Sequence, residues 1–140
     1  MGSLNLWLWI AQILLLGLFG YAGVMKVLRT PDQLRPMMAW VDDYSGQSIK
    51  LIGVAEILGA IGMILPMLTG ILPVLTPLAA VGFIVIQVLG VILHVRRGET
   101  QVLPYNAVLT LLSLFVLWGR WDLFGFCSEV KCHARHQDKV

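Results

Sequence analysis

Four stretches of this 140-residue chain are apolar on every side and long enough to cross a bilayer, at about Leu4–Met25, Ile49–Leu68, Leu72–Val95 and Val102–Trp118. Spanning the hydrocarbon takes about 20 helical residues at about 1.5 Å each. A helix in a soluble protein keeps a polar face for water beside one apolar stripe, and these stretches have no such face. In lipid a single segment satisfies its own backbone only as a helix. Composition agrees: 58% of residues are hydrophobic and 13% charged, against about 25% charged in soluble domains. The expected fold class is all-α, a transmembrane four-helix bundle with antiparallel neighbours. It takes up residues 1–121, and residues 122–140 form a polar C-terminal tail. Four spans leave no room for a second domain. The first stretch has no basic residue before it and Lys26 closes it, so it does not read as a secretory signal. Nor does the start fit a myristoylation pattern, since Leu6 stands where Ser or Thr is wanted.

The connections carry the remaining organisation. Lys26, Arg29, Arg35, Lys50, Arg96 and Arg97 lie on the side of loops one and three. Arg120, Lys131, Arg135 and Lys139 lie with the termini. Basic residues flanking spans favour the cytoplasm, which places loops one and three inside, although the basic tail argues the other way. In loop one, Thr30-Pro31-Asp32 reads as a helix start, with Thr30 as N-cap and Pro31 at the first position. Leu34, Met37, Met38 and Val41 then recur at helical spacing, which predicts a short amphipathic interfacial helix. Asp42 to Gly46 is its exit, and a plain surface loop is the alternative. Thr69-Gly70 is so short a connection that spans two and three form a hairpin. Pro66, Pro73 and Pro77 make that end irregular or kinked. Small residues (Gly17, Gly20 and Gly23 in span one; Ala55, Gly59 and Gly62 in span two) mark packing faces.

One acid breaks the apolar pattern. Glu56 lies about seven residues into span two, roughly 10 Å deep. A carboxylate there costs about 2.5–3.5 kcal/mol on insertion scales, so a partner or a use is expected. Counted from the loop-one side, Lys26, His94 and Asn106 lie at or just inside the boundary. Tyr21, Gln87 and Thr110 reach a depth similar to that of Glu56. Every span thus contributes polar groups to the same half of the membrane, while the opposite half is nearly bare apart from Gln12 and Ser113. A polar layer at matched depth is cheaper turned inward. Two readings stay open. Glu56 bonds to Lys26 or Tyr21 and fixes helix register; or the layer lines a pocket or pathway in which Glu56 binds a ligand or exchanges a proton. His94 is either a proton relay near neutrality or simply interfacial.

Several chemistries are missing. His94 is the only histidine in the bundle, and the chain has no Cys-x-x-Cys, His-Glu-x-x-His or phosphate-cradling glycine motif. No catalytic triad is available inside the bundle. No metal, cofactor or nucleic acid is expected. Whether the protein is an enzyme stays open. In the tail, Cys127, Cys132, His133 and His136 fit no standard zinc spacing. A Cys127–Cys132 disulfide in an oxidising compartment and free thiols are the two alternatives.

Gly20-Tyr21-Ala22-Gly23-Val24-Met25-Lys26, Gly53 to Gly59 running on to Leu65-Pro66, His94 to Glu99, Asn106 and Trp118-Gly119-Arg120 resemble the DoxX-like family of small four-helix membrane proteins. The resemblance covers about Leu15 to Trp121 and leaves out the tail. It implies a membrane bundle distantly similar to the sterol-isomerase group, whose acids line a pocket. It also points to relatives that are subunits of a thiosulfate:quinone oxidoreductase or partners in membrane redox complexes. Family membership by itself does not fix function. The leading expectation is a multi-pass protein of the bacterial plasma membrane that binds a quinone- or lipid-like molecule, accessory to redox metabolism. Glu56 would carry binding or proton exchange, Lys26 the charge balance, and Tyr21, Gln87, His94, Asn106 and Thr110 the hydrogen bonds. The alternatives are a non-catalytic scaffold assembling partner proteins, and a transporter of a small solute or proton; redox proteins and, in a homo-oligomer, further copies of the chain are the candidate partners.

Overall fold

The structure, a computed structural model, describes residues 2–123. Cys127, Cys132, His133 and His136, and with them the disulfide and metal readings, lie outside those residues. The chain runs through α1 (Gly2–Leu28), α2 (Pro31–Leu34), a 3-10 turn (Ala39–Asp43), α3 (Gly46–Thr69), α4 (Leu75–Arg97), a second 3-10 turn (Thr100–Val102) and α5 (Leu103–Gly119). α1, α3, α4 and the Thr100–Gly119 segment containing α5 are each long and apolar enough to cross a membrane.

These four close a ring: α1 packs on α3 and α5, α3 on α4, and α4 on α5. Gln12 of α1 meets Met63 of α3 while Gly23 meets Gly53, so numbers rise along one helix as they fall along the other. Thr76 and Phe83 of α4 meet Gly62 and Gly59 of α3 in the same reversed order. The middle of the ring is apolar, built from Leu15, Phe19, Ala60, Met63, Phe83 and Leu109 among others. Phe19 and Phe83 stack with ring centroids 3.8 Å apart. Outside, large apolar side chains such as Leu51, Leu58 and Leu111 stand exposed, as a lipid-facing coat requires.

In lipid, apolar surface does not drive helices together; close packing does. The α1–α3 crossing shows how. A Cβ on Gly53 would sit 2.7 Å from the Gly23 carbonyl, and a Cβ on Gly23 would sit 2.7 Å from the Gly53 carbonyl. Only glycine permits that approach. Gly59 is covered by the Phe83 ring, whereas Gly17 has nothing within 4 Å, so it does not mark a packing face.

Pro66 lies inside α3. Lacking an N–H, it leaves the carbonyl four residues back, Gly62, without its helical donor. The Thr76 hydroxyl donates to that oxygen at 3.4 Å. Both α3 and α4 stop at glycines in the left-handed conformation, Gly70 (φ 70°) and Gly98 (φ 71°), where side chains are disfavoured.

Loop one differs in detail from its expected form. Thr30 does cap a helix, in a reciprocal box with Gln33, and Pro31 opens it. The helix ends after one turn: Arg35 still has helical backbone, but Pro36 has no N–H with which to extend the ladder. The chain resumes as the Ala39–Asp43 turn. Leu34 and Val41 are buried with Met25 and Ile49, and Met38 and Trp40 pack against them; Met37 stays exposed. The result is a folded plug over the α1–α3 end rather than one continuous amphipathic helix.

Candidate functional site

The close α1–α3 approach at Gly23 and Gly53 sets the geometry of the polar layer. Lys26 is three residues beyond Gly23 and Glu56 three beyond Gly53, each on the packed face of its helix. Lys26 Nζ donates to both carboxylate oxygens of Glu56, at 2.7 and 2.6 Å. Their side chains are 7% and 5% exposed. A buried pair offsets its desolvation only with such geometry. The ammonium has three donors, and two are used on Glu56. Trp40 of the loop-one plug lies over it, 5.7 Å from Nζ to the ring centroid, at cation–π range. Tyr105 at the start of α5 lies within electrostatic reach of the same carboxylate.

The helix registers put Gln87 and Thr110 near the level of Glu56, and Asn106 about one turn nearer the loop-one end, opposite Gly90. Gln87 and Asn106 are buried. Asn106 Nδ2 is buried without a hydrogen-bond partner. The Thr110 hydroxyl donates to the Asn106 carbonyl at 2.8 Å, so its bond is local to α5. His94 is half-buried, with Nδ1 2.7 Å from Glu99 Oε2.

Tyr21 is a correction. It was expected in the inner layer, but it is 62% exposed. Phe19, Gly23 and Lys26 form the buried stripe of α1, and at 3.6 residues per turn a residue two positions from Phe19 and Gly23 faces the other way. Position along the sequence fixes its depth but not its azimuth.

Sequence reasoning also missed a network that ties the loops together. Arg97 donates to Asp43 Oδ2 at 2.5 Å, to the Ala39 carbonyl at 3.1 Å and to Glu99 Oε1 at 2.7 Å. The end of α4 thereby holds the plug that carries Trp40. Hydrogen bonds from Arg97 and then His94 keep the Glu99 carboxyl below the usual carboxylate range. In the sequence the Arg96-Arg97 doublet speaks for orientation and for the family resemblance, and neither points to Asp43 or Ala39.

A second polar cluster occupies the other end of the bundle. Gln12, fully buried, donates from Nε2 to the Met63 carbonyl at 2.6 Å and accepts at Oε1 from Arg120 Nε at 3.1 Å. The Arg120 guanidinium stands 5.7 Å from the Trp9 ring centroid. Gln12 and Arg120 lie 108 residues apart in the chain, so no local spacing announces their contact.

A family model described as the DoxX-like family matches residues 10–116. Neither a curated protein nor a solved structure matches the chain.

Proposed function

Since the chain belongs to the DoxX-like family and is an integral membrane protein with four spans, we propose that it binds a quinone- or lipid-like molecule in the polar layer of its bundle, as an accessory to membrane redox metabolism. The observation that carries this reading is Asn106 Nδ2, a buried amide donor with no acceptor. Leaving such a group unpaired costs about 1–3 kcal/mol, and an incoming carbonyl or ester oxygen would relieve it. The Gln87 amide, also buried, adds donors and an acceptor. Lys26 and Glu56 neutralise one another, which favours an uncharged ligand that accepts hydrogen bonds. Trp40 and the loop-one plug would cover the entrance, with loops one and three on the cytoplasmic side and the plug at the interface.

The test is to purify the protein and identify co-extracted small molecules by mass spectrometry. Wild type is expected to carry one, with Asn106→Leu and Glu56→Gln losing it. An empty wild-type bundle with proteins attached would reject the pocket in favour of a scaffold. The two hydrogen bonds between Lys26 and Glu56 favour that second reading, because such a pair can serve helix register alone. Solute uptake by liposomes holding only this protein would instead assign transport.

A further inference from the structure

Outside the polar layer, a half-open cavity of about 340 Å³ lies between the end of α1 and the start of α3, lined by Leu28, Arg29, Thr30, Gly46, Gln47 and Lys50. Its lining holds two cations and no acid. Neither the Arg29 nor the Lys50 side chain has an ion-pair partner among the described residues, while Arg35 and Arg97 each hold aspartates. Two like charges facing one hollow repel each other unless an anion lies between them. The place matters as well. Arg29 follows the last turn of α1, and Lys50 lies in the second turn of α3, at the level where a span meets the headgroups. Below the cavity the surface turns apolar: Val24 and Leu28 share one exposed face of α1, and Leu51 and Val54 continue the exposed face of α3 that carries Gln47 and Lys50.

We infer that this cavity binds the phosphate of an anionic phospholipid, with an acyl chain lying along Val24, Leu28, Leu51 and Val54. Arg29 supplies a planar fork suited to two phosphate oxygens, and Lys50 a point charge on the opposite wall. Thr30 and Gln47 add hydrogen-bonding groups at the rim. Basic residues beside a span attract anionic lipid generally. A site differs from that diffuse attraction in depending on which cations are removed.

Native mass spectrometry of the full chain, titrated with phosphatidylglycerol in detergent, reads the bound lipid directly. The double variant Arg29→Gln/Lys50→Gln is expected to weaken retention about tenfold or more, and Arg29→Lys/Lys50→Arg to keep most of it. Arg96→Gln, an exposed cation on the same side, is expected to change little. Phosphatidylcholine, with the same phosphate but no net charge, is expected to bind more weakly in wild type. An equal loss from Arg96→Gln would show diffuse attraction and overturn the site. Inorganic phosphate displacing the lipid at equal concentration would assign the cavity to free phosphate and overturn the lipid.

Discussion

The two ends of the bundle solve the same problem differently. At the loop-one end, two formal charges are buried and satisfied by each other, Lys26 on α1 against Glu56 on α3. At the other end, a neutral amide, Gln12, is buried between a backbone carbonyl and a guanidinium. The first arrangement is all-or-nothing, because removing either partner strands a charge in a low-dielectric interior. The second is graded, because each contact is one hydrogen bond among several. A site that must respond to a ligand is better placed beside the first, where small changes in charge balance have large consequences.

The sharpest way to break the comparison is Glu56→Ala, which leaves Lys26 buried without a counter-ion. It should destabilise the protein by about 3–5 kcal/mol in detergent unfolding, and Lys26→Met/Glu56→Leu should recover most of that loss. If the single variant unfolds like wild type, the pair does not hold the α1–α3 crossing. Next comes the crossing itself: Gly53→Ala pushes a methyl against the Gly23 carbonyl and should cost about 1–3 kcal/mol. Gly17→Ala, at open space, should be neutral in the same assay, and a similar loss there would remove the steric explanation. At the opposite end, Gln12→Leu keeps the volume but takes the acceptor from Arg120 Nε, while Thr76 still donates to the Met63 carbonyl, and should cost about 1–2 kcal/mol, clearly less than Glu56→Ala. Equal losses would erase the contrast between the ends.

The smallest expected effect is one of pH. Glu99 has its carboxyl lowered by Arg97 and His94, so the folded state binds its proton less readily than the unfolded chain. The contact is fully present above the ordinary glutamate value of about 4.3 and is lost as pH falls through the lower folded value. Protection of the Arg97–Gln101 amides, taken relative to the intrinsic exchange rate at each pH, should fall across that acid window. Glu99→Gln should lower that protection at all pH values and leave it flat across the window.

Legibility followed from which physical quantity each feature needs. Glu56 and its depth were readable because a charge in an apolar run is visible in one dimension. Lys26 was a named candidate partner because its rank from the boundary and its sign were both readable. Tyr21 was misplaced because facing depends on which stripe of α1 packs inward, and that depends on where α3 has glycine. The Arg97–Asp43 and Arg97–Ala39 bonds join residues far apart in the chain, so no local spacing announces them. The loop-one helix is shorter than its apolar spacing predicts because Pro36 withholds the N–H that would extend it.

What the sequence alone determined was the solvent: uninterrupted apolar stretches admit only helices in lipid, with loops at their ends, and they fix the depth of each polar group. What only the tertiary structure decided was azimuth and partnership. Helices in a bilayer have no hydrophobic gradient to orient them, so rotation is set by the tightest steric fit. Here that fit is Gly23 against Gly53, and it turns Lys26 and Glu56 toward each other while leaving Tyr21 to the lipid.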